Sequence, residues 1–147
     1  MKSNFQVRCT KSELKTIRRY TRTFLSQLDI SRELQNNLVV AVDEASANAI
    51  IHGNQCNKRK KLEISFQFRS GDLFIRIADV GSIESISKAV SPDLQTLIRE
   101  KRKGGMGLRI MHEVMDEVRY YRYARKNYCL LSKCLRNETS RGQGLPS

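Results

Sequence analysis

Apolar residues recur along the chain at two spacings, and each change of spacing marks a boundary between elements. Phe5, Val7 and Cys9 alternate with polar residues, which predicts a short half-buried strand over Asn4 to Cys9. Thr10-Lys11-Ser12-Glu13 has capping-box form, with Thr10 as N-cap and Glu13 reaching back. The helix it opens gathers Leu14, Ile17, Thr21, Phe24, Leu25 and Leu28 on one face, with Lys11, Lys15, Arg18 and Arg22 largely on the other. Ser31 caps a second helix. At 100° per residue Leu34, Leu38, Ala41, Ala45 and Ala49 share one arc, and Gly53 with Asn54 ends it.

Past a charged loop at Lys58 to Lys61, the period falls to two. Leu62, Ile64, Phe66 and Phe68 alternate with polar residues, Ser70-Gly71 makes a tight turn, and Leu73, Ile75 and Ile77 resume the alternation. Lys61 to Asp79 is therefore expected to be a hairpin with one buried face. Ser82 to Lys103 loses the strand period, although Ser91-Pro92 opens a short helix carrying Leu94, Leu97 and Ile98. A loop of this length serves as a lid or binding loop, or else is disordered. Leu108, Met111, Met115 and Val118 return to helical spacing behind Gly104-Gly105-Met106-Gly107. Glu117 to Ala124 and Asn127 to Leu135 read as two strands around Arg125-Lys126. Residues 1–136 thus form one domain, and the polar tail 137–147 is expected to be disordered.

The 147 residues suffice for one core. No apolar run approaches the roughly 18 residues that span a bilayer, and the first ten residues contain nothing like a signal peptide. Four cysteines without C-x-x-C spacing and two histidines argue against a zinc site or disulfide framework, so reduced thiols in a cytoplasm are expected. Charge changes the picture more. Lys plus Arg number 27 against 15 Asp plus Glu, a net +12, which points to an anionic partner or to a solvated basic surface.

Three stretches carry candidate chemistry. Glu44 and Asn48 lie four apart at the edge of the apolar arc of the second helix, within VAVDEASANAIIHG. A carboxylate and a carboxamide beside a buried stripe are costly unless something pairs with them. Asn offers a neutral oxygen to a hard cation and Glu can orient or deprotonate a nucleophile; the plain alternative is two helix-surface polar residues. Asp79-Val80-Gly81 puts an amine acceptor at a strand end before a glycine, a site of close approach or a simple turn. Gly104 to Gly107 lead into a helix whose positive end would suit phosphate oxygens, or form a hinge. No Lys-Ser or Lys-Thr follows, which excludes a P-loop, and no Gly-x-Gly-x-x-Gly is present for a Rossmann site. His52, on the last helical turn, suits packing or capping.

The three stretches, in this order, resemble the ATPase superfamily of gyrase, histidine kinases and the heat-shock chaperone. VDEASANAIIHG and GGMGLRIMHEVMDEV are similar to its anti-sigma-factor serine kinase branch, over about Phe5 to Leu135. The resemblance implies a two-layer α/β sandwich, with helices on a mixed, mostly antiparallel sheet. It implies ATP and Mg²⁺ as cofactors: Glu44 as general base, Asn48 as the Mg²⁺ ligand and Asp79 as acceptor of the adenine amine. Gly81 would admit the base, and Gly104, Gly105, Met106, Gly107 and Leu108 would wrap the phosphates. It also implies a homodimer that binds a sigma factor and phosphorylates an anti-anti-sigma protein. Two departures stand out. The family's Asp-x-Gly-x-Gly runs here Asp79-Val80-Gly81-Ser82-Ile83, without the second glycine that loosens the lid. Asn127-Tyr128 replaces Gly-Thr in the last hairpin, so a hydroxyl contact near the adenine is expected to be missing.

The preferred reading is an ATP- and Mg²⁺-dependent protein serine kinase that doubles as an anti-sigma switch. The alternative is a nucleotide-responsive module that sequesters its partner without phosphoryl transfer. A nucleic-acid binder rests on charge alone and requires affinity that falls steeply with salt.

Overall fold

Residues 1–79 and 105–136 are described in the computed structural model, the side chains of 105–108 excepted. Gly81, Gly104, the expected lid with its short helix, and the tail 137–147 lie outside the described residues.

The period-two segments pair into one sheet. Its strands are β1 (Lys2–Arg8), β2 (Lys61–Arg69), β3 (Asp72–Asp79), β4 (Glu117–Tyr123) and β5 (Lys126–Cys134), in the order β1-β2-β3-β5-β4. Every pairing is antiparallel, so the mixed sheet expected from the resemblance is a purely antiparallel one among the described residues. Register explains the single buried face. Ile64 opposes Ile77, which opposes Cys129, which opposes Tyr120, and the next inner row is Phe66, Ile75, Leu131 and Val118. The alternate positions look away from the helices. There Tyr121 stacks on Tyr128 at 4.8 Å between ring centroids, and the Arg76 guanidinium lies 5.5 Å from the Tyr128 ring.

Among the described residues, three α-helices cover the inner face: α1 (Leu14–Leu25), α2 (Arg32–Asn48) and α3 (Gly105–Val114). Helix α2 packs against both others and reaches β3. Its expected arc is buried at Leu34, Leu38, Ala41 and Ala45, with Val39 and Val42 joining it, while Ala49 is half-buried. Each large side chain sealed in this core contributes about 1.5–3 kcal/mol of transfer free energy. Phe24 of α1 stacks on Phe66 of the sheet at 5.0 Å. Arg18 Nη1 of α1 lies 2.8 Å from Asp43 Oδ1 of α2.

The ends of the elements refine the sequence reading. Ser31 caps α2 as expected, its hydroxyl accepting from the Leu34 amide at 3.1 Å. The capping box at Thr10 does not form. Thr10 makes no side-chain cap bond; its hydroxyl pairs with that of Ser12 at 3.1 Å, and a 3₁₀ turn at Lys11–Glu13 leads into α1. Helix α2 runs on into a π-helical turn, Ala49–Gly53, closed by Asn54, whose backbone and side-chain amides both donate to the Ala49 carbonyl. Helix α3 stops at Val114, so Val118 belongs to β4 and not to the helix. The last hairpin turns at Ala124-Arg125, one residue earlier than expected. Both residues have positive φ, 52° and 66°, the requirement of the tight turn that suits sheet twist. No helix among the described residues is long and apolar enough to cross a membrane.

Candidate functional site

Near one end of the inner sheet face, the row of apolar side chains gives way to polar ones. Asp79, the last residue of β3, opposes Asn127 on β5, which opposes Arg122 on β4. Asp79 is only 7% exposed and Asn127 only 4%. Carboxylate and carboxamide groups this deeply buried are retained only where they are paired or used. Arg122 Nη1 donates to Asn127 Oδ1 at 3.0 Å, which fixes the orientation of the carboxamide.

The π-helical turn brings the end of α2 down onto this row. A Cβ on Gly53 would stand 2.9 Å from Asp79 Oδ2, closer than a carbon can sit beside a carboxylate oxygen. Gly53 is therefore more than the helix stop that its sequence position suggested. The absence of a side chain at Gly53 leaves the Asp79 carboxylate its place against the end of α2.

Two neighbours respond electrostatically to Asp79. Burial first, then the Asp79 carboxylate, push the Cys9 thiol up to about 11, with Lys60 opposing. Burial raises the Cys129 thiol to about 12; a hydrogen bond from Tyr120 works against this and Asp79 adds to it. Both thiols are therefore neutral at physiological pH and act as small apolar walls.

Glu44 and Asn48 project from α2 one turn apart, both half-buried. Asp43 is turned to α1, where Arg18 holds it; Glu44, 100° further round, is turned to the other flank. Burial above all, then Cys129 and lastly the Glu44 carboxylate hold the Tyr120 phenol well above its ordinary value. Helix α3, packed against α2, begins at Gly105, so Gly105, Met106, Gly107 and Leu108 are its first turn. The amides of a first turn lack intrahelical acceptors and carry the positive end of the dipole. The described residues that the sequence singled out thus lie on α2 itself and on β3 and α3, both of which touch it.

Asn127 and Gly53 escaped the sequence reading of the site. The signal for Asn127 was present: it breaks the apolar alternation that Cys129 and Leu131 set up on β5. Tyr128, its partner in the departure from Gly-Thr, is on the outer face, and Asn127 is the member of the pair that lies on the inner face. His52 is exposed.

The donor set suits a magnesium nucleotide. Mg²⁺ takes one or two protein oxygens and completes its shell with phosphate oxygens and water, which a single carboxamide at Asn48 allows. Among the described residues, no three His, Cys, Asp or Glu side chains gather into a metal cage of their own.

Comparison with known proteins identifies the family and the fold. The model of the histidine kinase-like ATPase domain matches residues 7–133. The chain is 33% identical over 111 residues to an anti-sigma F factor of Clostridium perfringens, covering 75% of this chain and 79% of that protein. It is 37% identical over 111 residues to an anti-sigma F factor of Clostridium acetobutylicum, covering 74% and 76%. Among solved structures, the fold is that of the RsbU and RsbW domains of Rv1364c from Mycobacterium tuberculosis, with TM-score 0.65, 15% identity, and 91% of this chain and 32% of that one covered. The SiaB–SiaC complex of Pseudomonas aeruginosa gives TM-score 0.63 at 13% identity, covering 88% and 86%. A chain with this sheet, this polar row and these relatives belongs to the histidine kinase-like ATPase family, in its anti-sigma-factor serine kinase branch.

Proposed function

We propose that the protein is an ATP- and Mg²⁺-dependent serine kinase that holds a sigma factor and phosphorylates an anti-anti-sigma protein, working as a homodimer in the cytoplasm. The observation that carries the nucleotide reading is the seat of Asp79, buried at a strand end against a residue whose side chain is missing. Asp79 accepts from the adenine amine. Gly81 lets the ring approach, and the backbone of Gly104 to Leu108 closes on the phosphates at the start of α3. Asn48 would hold Mg²⁺, which would supply neutralisation of the phosphate charge.

Glu44 orients the serine hydroxyl of the partner and takes its proton as the oxygen attacks the γ-phosphorus; the bond to the β-phosphate oxygen breaks and ADP leaves. The basic balance of the chain, a net +12, favours encounter with an acidic partner protein and with the nucleotide itself. The relatives that support the partner reading carry anti-sigma F factor as their name, and one structural neighbour is a two-protein complex.

The deciding experiment is titration with a non-hydrolysable ATP analogue, with and without Mg²⁺, on wild type and Asp79→Asn. The expected result is binding strengthened by Mg²⁺ and lost in the variant. Wild-type protein that ignores adenine nucleotides overturns the reading. Phosphate transfer is then scored with radiolabelled ATP and purified anti-anti-sigma protein. Binding without transfer would identify a nucleotide-responsive sequestering module.

A further inference from the structure

Strand β1 is an edge of the sheet, and nothing among the described residues pairs with its outer side. The Phe68 amide donates to the Met1 carbonyl at 2.9 Å and the Cys9 amide to the Lys60 carbonyl at 3.0 Å. The odd-numbered residues of β1 therefore turn their backbone groups to β2, while Lys2, Asn4, Gln6 and Arg8 turn theirs to the open edge. A bare edge invites another strand, and charge within the strand is a common guard against it. Strand β4, the opposite edge, has Arg119 and Arg122 within it. Strand β1 has cations only at its two ends, Lys2 and Arg8.

The surface above this edge is apolar and uncharged. Tyr20 of α1 stacks on Phe5 at 4.2 Å between ring centroids, yet stays 45% exposed, and Met1 is 51% exposed. Helical spacing sets Thr16, Tyr20 and Thr23 on one stripe, apart from the stripe of Lys15, Arg19 and Arg22. A chain of net +12 repels its own copies, so a second copy is accepted where cations are sparse.

We propose that β1 is the seam of a homodimer, in which two copies pair their β1 strands antiparallel about a two-fold axis. The two five-stranded sheets then become one of ten strands. The inference rests on the homodimer proposed above and gives it a location. Symmetry restricts the register. With Asn4 opposite the second copy's Asn4, Met1 to Val7 all find partners, Lys2 facing Gln6 and Met1 facing Val7. The next register along sets Lys2 against the second copy's Arg8, like charges directly opposed. In the first register Lys2 faces a Gln6 whose amide donates to Glu63 at 3.0 Å, so a carboxylate stands on the adjoining strand for the cation. The apolar groups Met1, Phe5, Val7 and Tyr20 of both copies gather on the helix-bearing side of the seam.

The test is analytical ultracentrifugation of wild type, Asn4→Pro and Tyr20→Lys over a concentration series. Asn4→Pro removes an amide that points to the open edge and leaves the β1–β2 bonds in place, a position that proline tolerates. Tyr20→Lys puts a cation into the seam from an exposed helix position. Wild type is expected to sediment as a dimer. Each variant should keep its far-ultraviolet circular dichroism and raise the dimer dissociation constant at least about tenfold, because symmetry makes each change twice. Wild type that stays monomeric throughout overturns both the homodimer and this seam. A wild-type dimer whose dissociation constant is unchanged in folded Asn4→Pro overturns the seam and leaves the homodimer standing. Should that variant not fold, Tyr20→Lys decides in its place.

Discussion

At Glu44 the chemistry and the fold make separable demands. The carboxylate is half-buried at the edge of α2 and close enough to raise the Tyr120 phenol, yet the core arc of the helix closes without it. Glu44→Gln keeps the shape and removes the proposed base, so phosphate transfer should fall at least about a hundredfold while ATP affinity changes less than about twofold. Single-turnover transfer alongside analogue binding checks both. Gly53→Ala is the opposite case, because its Cβ would collide with Asp79 Oδ2. The variant is expected to lose nucleotide affinity by about tenfold or more while keeping its far-ultraviolet circular dichroism. Glu44, Asn48 and Asp79 could be picked out in the sequence because each is polar where its helix or strand pattern meets the core. Gly53 could not be, since a glycine closing a helix has the same sequence signature whether or not it lies against a carboxylate. Arg122 could not be either, because its role depends on strand register.

At the scale of elements, local chemistry predicted well where one side chain settles the matter. Ser31 is such a case, and Ser31→Ala should cost about 1 kcal/mol, read as a lowered melting temperature with unchanged denaturant m-value. The two hairpins and the three helices were legible from alternation and helical spacing, since a period of two or 3.6 is a direct record of which face is buried. Element ends were less so. Thr10 and Glu13 have the residues of a capping box, but the chain leaves β1 through a 3₁₀ turn and Thr10 bonds to Ser12 instead. Val118 continued the helical spacing of Met111 and Met115 and yet lies in β4, opposite Leu131, because sheet pairing outweighs a single turn of helix. The strand order β1-β2-β3-β5-β4 has no local signal, since it is set by which edges meet once α3 has crossed the sheet.

For the molecule as a whole, alkaline pH should be more damaging than the surface suggests. The folded Cys9 and Cys129 thiols, at about 11 and about 12, stand above the ordinary 9.0, so the unfolded chain ionises first. Stability is therefore full below about pH 9 and declines as pH rises through the folded values, a trend that thermal melts between pH 7 and 11 would show. The same burial predicts selective alkylation. Exposed Cys56 should react first with iodoacetamide, and Cys9 and Cys129 only on unfolding, as mass spectrometry of timed samples would reveal.

The turn between β4 and β5 has a practical consequence of its own. Ala124 and Arg125 both adopt a left-handed backbone that side-chain-bearing residues resist, at an expense of the order of 1 kcal/mol each. The hairpin that carries Tyr120, Arg122 and Asn127 is thus folded around a kink that its own residues disfavour. Replacing the pair with Asn-Gly, the dipeptide suited to that geometry, offers a route to a hardier protein whose ligand chemistry is untouched.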